Sequence, residues 1–198
     1  IFKDKTTRPT RNILHAVGKI IDNDTLDVFV CHFPSRSGGQ RETEPARIDV
    51  ATLLRNKVDS LFAIREKANI VIMGDFNDHP DDKSLFQTLK ARSLNYHRSD
   101  KELYNMFFHR VKEKNFGTYF FQGRWEVLDQ FIVSGNLLSE SNSVFIKGSK
   151  AHVFNPDFLL EEDKTFGIKR PYRTHLGPRY IGGFSDHLPI YVDLEIGY

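Results

Sequence analysis

A carboxylate and an imidazole stand side by side near the C-terminus, at Asp186 and His187, directly after Ser185. A metal-binding carboxylate next to a titratable imidazole supplies groups that cleavage of a phosphate ester requires. Two glycines precede the motif, which would leave these side chains accessible at the start of a strand. Asp-His pairs are common in proteins, so this pair predicts a site only together with partners elsewhere in the chain.

A second set of polar side chains follows a short apolar run. Ile70 to Met73 is apolar throughout, which is typical of a central strand buried on both faces. Asp75 and Asn77 then fall on one side of extended backbone, because side chains repeat every two residues there. Asp75 could orient or deprotonate a water, and the Asn77 amide could hydrogen-bond a phosphate oxygen. The alternative is an Asx-type turn, in which both side chains bind local backbone.

A third candidate, His32, ends an alternating run whose inward-facing side chains are predicted to be Leu26, Val28 and Val30. A histidine on that face is more often a core residue than a catalyst. The loop that follows is small, flexible and basic, and its Arg36 suits contact with an anion better than packing. Arg36 is therefore a candidate for contact with an anion, and His32 stays open between a core residue and a catalyst.

Asp129 is the only carboxylate within the apolar run from Val127 to Val133, which is predicted to be a strand. A lone carboxylate is costly to bury unless another group pairs with it. An imidazolium is the obvious partner, and Asp129 behind His187 would fix the tautomer of the imidazole and raise its basicity. The alternative is that Asp129 faces solvent on an edge strand.

Periodicity predicts the elements that position these groups. The clearest is a helix over 44–67, with Thr43 as a cap, Pro45 in the first turn and an inward stripe of Val50, Leu54, Val58, Leu61 and Phe62. Further predicted helices span 81–91 and 103–114. Predicted strand pairs are 11–21 with 25–33, joined by a turn at 22–24, and 116–121 with 127–134. A half-buried strand follows His187, with Leu188, Ile190, Val192, Leu194 and Ile196 inward.

A basic and aromatic cluster precedes the Asp186 motif. Positions 153–180 are predicted to form a long irregular insertion. Within it the basic side chains alternate with tyrosines, at Lys169, Arg170, Tyr172, Arg173, Arg179 and Tyr180. Arginine can bind a phosphate through two hydrogen bonds, and Arg173 is therefore a candidate for substrate binding. The alternative is a solvated loop in which the arginines pack on the tyrosines.

Taken together, these motifs resemble the endonuclease/exonuclease/phosphatase superfamily from about Arg11 to Leu194. The specific feature is Gly74–Asn77 followed, more than a hundred residues later, by Ser185–His187. Members include DNase I, abasic-site endonucleases, neutral sphingomyelinases and inositol polyphosphate phosphatases. The resemblance implies an α+β fold, the DNase I-like four-layer αββα sandwich, which hydrolyses phosphodiesters or phosphomonoesters with Mg²⁺ or Mn²⁺.

The resemblance also implies roles for the candidate residues. Asp75 and Asn77 would position the attacking water and bind the phosphate, and Asp186 would be a metal ligand. His187, oriented by Asp129, would act as a base or stabilise the transition state. His32 would contact the phosphate or protonate the leaving group. A module on the same fold that binds phosphate ligands or nucleic acid without cleaving them is the alternative function.

One departure from the family pattern concerns the metal site. Family members carry a metal-binding Glu well before the His motif, whereas residues 1–12 contain no glutamate, and Glu42 and Glu44 follow His32. We therefore expect a single domain over 1–198 that lacks an N-terminal segment, which would supply a further metal ligand. Weak or absent metal binding and little activity are expected of these residues alone.

Composition narrows the functional classes. The 28 basic and 26 acidic residues leave a net charge of +2, which argues against DNA binding through a uniformly positive surface. The single Cys31 excludes an internal disulfide framework. The sequence contains no cysteine and histidine cluster with zinc spacing, no phosphate-binding loop of nucleotide triphosphatases and no apolar run of membrane-spanning length. The substrate remains open among nucleic acid, sphingolipid headgroup, inositol phosphate and sugar phosphate.

Overall fold

The computed structural model describes residues 10–20 and 24–197, most of them in short strands around one long helix. The strands are β1 (Leu14–Lys19), β2 (Thr25–His32), β3 (Asn69–Asp75), β4 (Ala91–Ser93), β5 (Leu103–Asn105), β6 (Tyr119–Phe121), β7 (Arg124–Glu126), β8 (Asp129–Ser134), β9 (Val144–Val153), β10 (Leu160–Asp163), β11 (Ile168–Pro171), β12 (His175–Leu176), β13 (Arg179–Tyr180) and β14 (Ile190–Ile196). The long helix is α1 (Gln40–Ile64), and shorter helical turns span Ser84–Thr88, Phe108–Lys112, Gly135–Leu138 and Asp157–Leu159.

Six strands form the central sheet, in the order β1-β2-β3-β8-β5-β4. β2 and β3 run parallel and are connected by α1, whereas β8 runs antiparallel to β3. The first predicted hairpin is confirmed, because β1 and β2 pair antiparallel. Residues 22 and 23 of its predicted turn lie outside the described residues.

The central sheet is covered on both faces. On one face the predicted stripe of α1 packs against β3 through Ile70 and Ile72. On the other face Val71 belongs to a second core, which includes Val144 and Ile146 of β9. The continuous apolar run of β3 is therefore buried on both sides, as the sequence predicts, and each such side chain contributes about 1.5–3 kcal/mol by its burial.

The layers of the described residues are therefore α1, the central sheet and a two-stranded antiparallel sheet of β9 and β14. This arrangement confirms the α+β class. Within the described residues, no helix has both the length and the apolar character needed to cross a lipid bilayer.

Helix α1 begins at Gln40, four residues before the predicted start at Glu44, and ends at Ile64. Gly39 stands at the N-cap, and Thr43, predicted as the cap, lies inside the helix with its hydroxyl donating to the Gly39 carbonyl. The early start depends on Arg47, whose fully buried guanidinium donates to the carbonyl of Gln40 at 2.9 Å. A side chain seven residues further along the same helix therefore stabilises a first turn that the local sequence does not predict.

The helices predicted over 81–91 and 103–114 are wrong in most of their length. Only a π-helical turn, Ser84–Thr88, forms in the first, and β4 follows it at Ala91. In the second, Leu103–Asn105 forms β5, paired with β8, before the 3₁₀ turn Phe108–Lys112. Pairing with a buried strand outweighs the local preference of these short segments.

The predicted pairing of 116–121 with 127–134 is also wrong. β6 pairs with β7 across a two-residue turn at Gln122 and Gly123, while β8 joins the central sheet. Both turn residues have positive φ, 47° and 83°, as tight hairpin turns require. The rings of Tyr119 and Phe121 stack on one face of this hairpin. The backbone of Tyr119 forms a bridge with that of His187.

The segment 153–180 is more regular than predicted. It contains two antiparallel hairpins, β10 with β11 and β12 with β13. Arg170 of β11 binds Glu161 and Asp163 of β10 at 3.0 and 2.7 Å. Cross-strand ion pairs therefore order the first hairpin, in a segment whose proline, glycine and charge content predicted irregular chain.

The strand after His187 departs from its predicted alternation in its second half. A bulge between Val192 and Leu194 breaks the register with β9. The register shifts by three residues there, and a shift by an odd number moves the following side chains to the opposite face. Leu194 and Ile196 are therefore 41% and 44% exposed instead of inward.

Candidate active site

The register of the central sheet brings three predicted site residues into one row. His32 at the end of β2 pairs with Asp75 at the end of β3. Asp75 in turn pairs with Asp129 at the start of β8. Because β2 and β3 are parallel and β8 is antiparallel to them, all three positions meet at the same edge of the sheet. This edge forms the floor of a cleft.

Gly74 allows the backbones of β2 and β3 to approach closely at this edge. Its φ is 130°, and a Cβ on this residue would lie 2.0 Å from the carbonyl oxygen of Cys31. Only glycine fits both conditions. The glycine before Asp75 therefore has a structural reason, which is to hold Asp75 beside the end of β2.

The turn after β3 confirms part of the Asx alternative. The backbone N–H of Asn77 donates to Asp75 Oδ1 at 2.8 Å, and the Asn77 amide donates to Asp75 Oδ2 and to the Phe33 carbonyl at 3.1 Å each. Asn77 adopts a left-handed conformation, with φ of 50°. The local turn and the cleft-facing carboxylate are thus features of the same arrangement.

His187 lies across the cleft floor from β3 and binds Asp129. The distance from His187 Nδ1 to Asp129 Oδ2 is 2.6 Å, which fixes the imidazole through the carboxylate. The ring also packs on Tyr119, with 4.7 Å between ring centroids. The alternative of a solvent-facing Asp129 on an edge strand is wrong, because β8 lies inside the sheet.

Asp75 and His187 at the cleft floor both have a raised pKa, but for different physical reasons. Burial, followed by the negative charge of Asp129, raises the pKa of the Asp75 carboxyl above its ordinary value. Burial acts to lower the pKa of His187, but the hydrogen bond and charge of Asp129, with the charge of Asp75, raise it overall. The fold therefore favours a more basic carboxylate next to a positively charged imidazole.

Asp75, Asp129 and His187 form a group that could hold a cation, since one ligand atom of each lies within 4.8 Å of the others. His187 Nδ1 already binds Asp129, which leaves Nε2 of His187 and the carboxylate oxygens as the available ligand atoms. Oxygen donors suit Mg²⁺ and Mn²⁺, and a divalent cation would relieve the repulsion between the two carboxylates. Asp186, the predicted metal ligand, is exposed at the rim of the same cleft.

His32 faces the cleft. Its side chain is 42% exposed, and its Nε2 lies 3.4 Å from Asp75 Oδ2. The alternative of a buried core histidine is therefore wrong. The inward set predicted for β2 is wrong as well at Val30, which is exposed, whereas Phe29 and Cys31 are buried against α1.

The cleft has a volume of about 1190 Å³ and collects all the predicted site residues except one. They are His32, Arg36, Asp75, Asn77, Asp129, Asp186 and His187. Arg173 lies outside this set, after β11, where its backbone packs against Gly183. The basic and aromatic residues around Arg173 in the sequence do not indicate where the hairpin of β10 and β11 places Arg173 relative to the cleft.

The cleft also contains residues that the sequence did not single out. They include Arg11, Tyr119, Gln122 and Arg124 on its walls, with Glu126 beside Arg36. Four of them belong to the hairpin of β6 and β7, whose pairing was predicted wrongly. A two-residue turn recognised at Gln122 and Gly123 would have placed Tyr119 and Arg124 together.

A profile of the Endonuclease/Exonuclease/phosphatase family matches residues 1–196. The chain belongs to this family. The superfamily resemblance drawn from the motifs is thereby confirmed. A search of curated protein sequences found no match.

Solved structures share the fold. Beta toxin 275-280 from Staphylococcus aureus aligns with a TM-score of 0.53 at 14% identity, over 91% of this chain and 56% of its own. Humanized D. rerio TDP2 with 14 mutations aligns with a TM-score of 0.52 at 15% identity, over 93% of this chain and 60% of its own. These likenesses confirm the DNase I-like α+β fold. The chain spans little more than half the length of these structures.

Proposed function

We propose that the protein is a metal-dependent phosphoesterase, which hydrolyses a phosphodiester or a phosphomonoester by attack of an activated water. The observation that carries the proposal is the row of His32, Asp75 and Asp129 across neighbouring strands, with His187 bound to Asp129 at 2.6 Å. Acids and imidazoles in one cleft are the groups that general acid–base catalysis of hydrolysis uses. Membership of the family supports the same reaction class.

Each residue has a proposed role that follows from its surroundings. Asp75 orients the water and accepts its proton, because its raised pKa makes it a stronger base than an exposed carboxylate. His187 places positive charge beside the phosphate, because Asp129 favours its protonated form. Asn77 lines the cleft at the turn after Asp75, and its amide holds the proposed base in place by donating to the Asp75 carboxylate and the Phe33 carbonyl.

His32 and Asp186 have proposed roles at the rim of the site. His32 is exposed to the cleft and close to Asp75, where it would contact the phosphate or protonate the leaving group. Asp186 would be a ligand of Mg²⁺ or Mn²⁺ at the rim of the cleft, beside the acidic pair of Asp75 and Asp129. The bound ion would polarise the phosphoryl oxygen and stabilise developing negative charge.

The test is hydrolysis of bis-p-nitrophenyl phosphate and p-nitrophenyl phosphate by the full-length protein with Mg²⁺ or Mn²⁺. Asp75→Ala and His187→Ala are expected to lower kcat/KM by about 10²-fold or more, because each removes a group that acts on the reacting atoms. Asp193→Ala is the matched control, since Asp193 is an exposed carboxylate on β14 away from the cleft. Its activity is expected to equal that of the wild type.

Two outcomes would contradict the proposal. Turnover that survives both Asp75→Ala and His187→Ala would place the chemistry elsewhere. Binding of inorganic phosphate in the cleft without turnover of either ester, with Mg²⁺ present, would favour the non-catalytic binding module instead.

A further inference from the structure

Charged side chains from three parts of the chain meet beneath the turn that carries Asn77. We call them the Arg36 cluster, which consists of Arg36, Arg47, Asp78, Asp82 and Glu126. From its geometry we infer that Arg36 is a positioning residue, which fixes Asn77 in the cleft, and not a ligand of the substrate phosphate. The kinetic part of this inference rests on the proposed function, whereas its structural part does not.

The backbone of Asn77 needs external support. Its left-handed conformation, with φ of 50°, is one that residues other than glycine seldom adopt, although asparagine tolerates it best. This conformation turns the Asn77 N–H onto Asp75 and its carbonyl onto Arg36. Any group that binds the carbonyl therefore stabilises the orientation of the amide and of Asp75 together.

Arg36 provides that group. Its Nε donates to the Asn77 carbonyl at 2.6 Å. Its two terminal nitrogens bind Glu126 at 3.2 Å and Asp82 at 3.3 Å. The side chain is only 19% exposed although it lines the cleft. Three of the five guanidinium N–H donors are therefore engaged, and the two that remain lie on nitrogens already bound to the carboxylates of Glu126 and Asp82, which would repel a phosphate.

The same turn is fixed from beneath by Asp78. Arg47 is fully buried, and its Nε lies 2.8 Å from Asp78 Oδ1. Ser84 donates to Asp78 Oδ2 at 2.6 Å, and the Gln130 amide donates to the Asp78 carbonyl at 2.7 Å. Asp78 is thus held by α1, the π-helical turn and β8. Arg36 extends this rigid base to the neighbouring residue, Asn77, at the reacting edge.

Only an arginine can make these contacts at once. A lysine at position 36 would keep the charge but offer one nitrogen, which cannot reach the Asn77 carbonyl, Glu126 and Asp82 together. The contribution of Arg36 is therefore geometric as well as electrostatic. This difference makes Arg36→Lys informative, because it separates loss of position from loss of charge.

The structural test is hydrogen–deuterium exchange over residues 75–79 in the protein as it stands, without substrate. Arg36→Met is expected to raise exchange in this segment by about tenfold, because the turn loses its bond to the Asn77 carbonyl. Arg36→Lys is expected to raise it nearly as much. Arg124→Met is the matched control, since Arg124 is an exposed arginine of the same cleft, and exchange over 75–79 should remain at the wild-type rate.

The kinetic test separates positioning from substrate binding in the full-length protein. Arg36→Met and Arg36→Lys are expected to lower kcat about tenfold while KM changes less than about twofold, because catalytic groups are displaced and substrate contacts are kept. An arginine that bound the phosphate directly would show the opposite pattern, with KM raised and partial rescue by lysine.

Two results would overturn the inference. One is wild-type exchange over 75–79 in Arg36→Met, and the other is a raised KM that Arg36→Lys restores. If Arg36→Met fails to fold, Glu126→Gln decides, because it weakens one anchor of Arg36 and should give a smaller rise in exchange at the same segment. Absence of turnover in the wild type would refute the proposed function, while the exchange result would still stand or fall independently.

Discussion

Two turns carry most of the candidate catalytic groups, and they are held in different ways. The 75–79 turn is fixed by buried charges, among them the pair of Arg47 and Asp78. In the 185–187 turn, Ser185 and Asp186 are exposed. The turn is held mainly by backbone hydrogen bonds of adjacent residues, such as the one that the Leu188 N–H donates to the Thr118 carbonyl at 2.8 Å. Its single strong side-chain anchor is the bond from His187 to Asp129.

The difference predicts how each turn responds to mutation. Loss of a charge beneath the 75–79 turn affects folding, because an unpaired charge is left in the interior. Loss of a contact at the 185–187 turn affects catalysis more than stability, because solvent can hydrate what is left unpaired. The following variants test this contrast.

The largest effect on stability is expected from Arg47→Met. It leaves Asp78 buried without its partner, and removing one member of a buried ion pair typically lowers the free energy of unfolding by about 3–5 kcal/mol. Urea denaturation measures the change. Lys169→Met is the matched control, because the pair of Lys169 and Asp157 is exposed to solvent and should contribute little to the free energy of unfolding. Equal losses in the two variants would show that burial of the Arg47 pair has no energetic consequence.

At the other turn, Asp129→Asn is expected to lower kcat/KM by about 10²-fold. His187 then loses the negative charge that orients its ring and stabilises its protonated form. The free energy of unfolding should fall by less than in Arg47→Met, since Asp129 is only partly buried and the neutral amide adds no unpaired charge. Steady-state kinetics with the full-length protein and urea denaturation measure both quantities. An activity equal to that of Asp193→Asn would remove Asp129 from the proposed mechanism.

A smaller effect is expected from Ser185→Ala. The Ser185 hydroxyl accepts a hydrogen bond from the backbone N–H of His187 at 3.1 Å, and this contact is exposed to solvent. Loss of one such hydrogen bond is worth about 0.5–1.5 kcal/mol, so kcat should fall by no more than about tenfold. Asp186 is unchanged in this variant, which keeps the proposed metal ligand. A loss as large as that of Asp129→Asn would mean that the Ser185 contact, and not the carboxylate, anchors the imidazole.

The sequence predicted the parts of the site that local patterns encode. Asp75 and Asn77 follow an uninterrupted apolar run, and His187 precedes an alternating one, so their places at strand ends could be inferred. The parallel pairing of β2 with β3 then brings His32 to Asp75. Patterns of period two establish which residues share a face of a strand. The pairing of the strands then brings His32, Asp75 and Asp129 to the same edge of the sheet.

The sequence did not predict contacts that form only in the folded chain. Nothing in the periodicity around Arg47 indicates a buried partner at Asp78, because each lies in a different element and neither is apolar. The strand Leu103–Asn105 was predicted as helix, since its pairing with β8 is decided at a distance. The exposure of Leu194 likewise results from the bulge between β14 and β9, which the alternating sequence does not predict.

The smallest expected effect concerns Cys31, which reports on the rigidity of the 75–79 turn without being part of it. Its backbone carbonyl packs against Gly74, its side chain is 4% exposed, and burial raises the pKa of the thiol from its ordinary 9.0 to about 12. The native protein should therefore react with iodoacetamide at a negligible rate even at pH 9, where an exposed thiol is partly ionised.

The pH dependence has a defined sign. The folded state keeps the Cys31 proton that the unfolded state releases, so the stability contributed by the neutral thiol is present below pH 9 and decreases as the pH rises toward 12. Arg47→Met, which loosens the base of the neighbouring turn, should accelerate alkylation, whereas Lys169→Met should not. Mass spectrometry of the alkylated peptide measures the rates. Rapid alkylation of the wild type at pH 9 would show that β2 and β3 separate readily beside Gly74, and the contrast between a rigid 75–79 turn and a weakly anchored 185–187 turn would then be wrong.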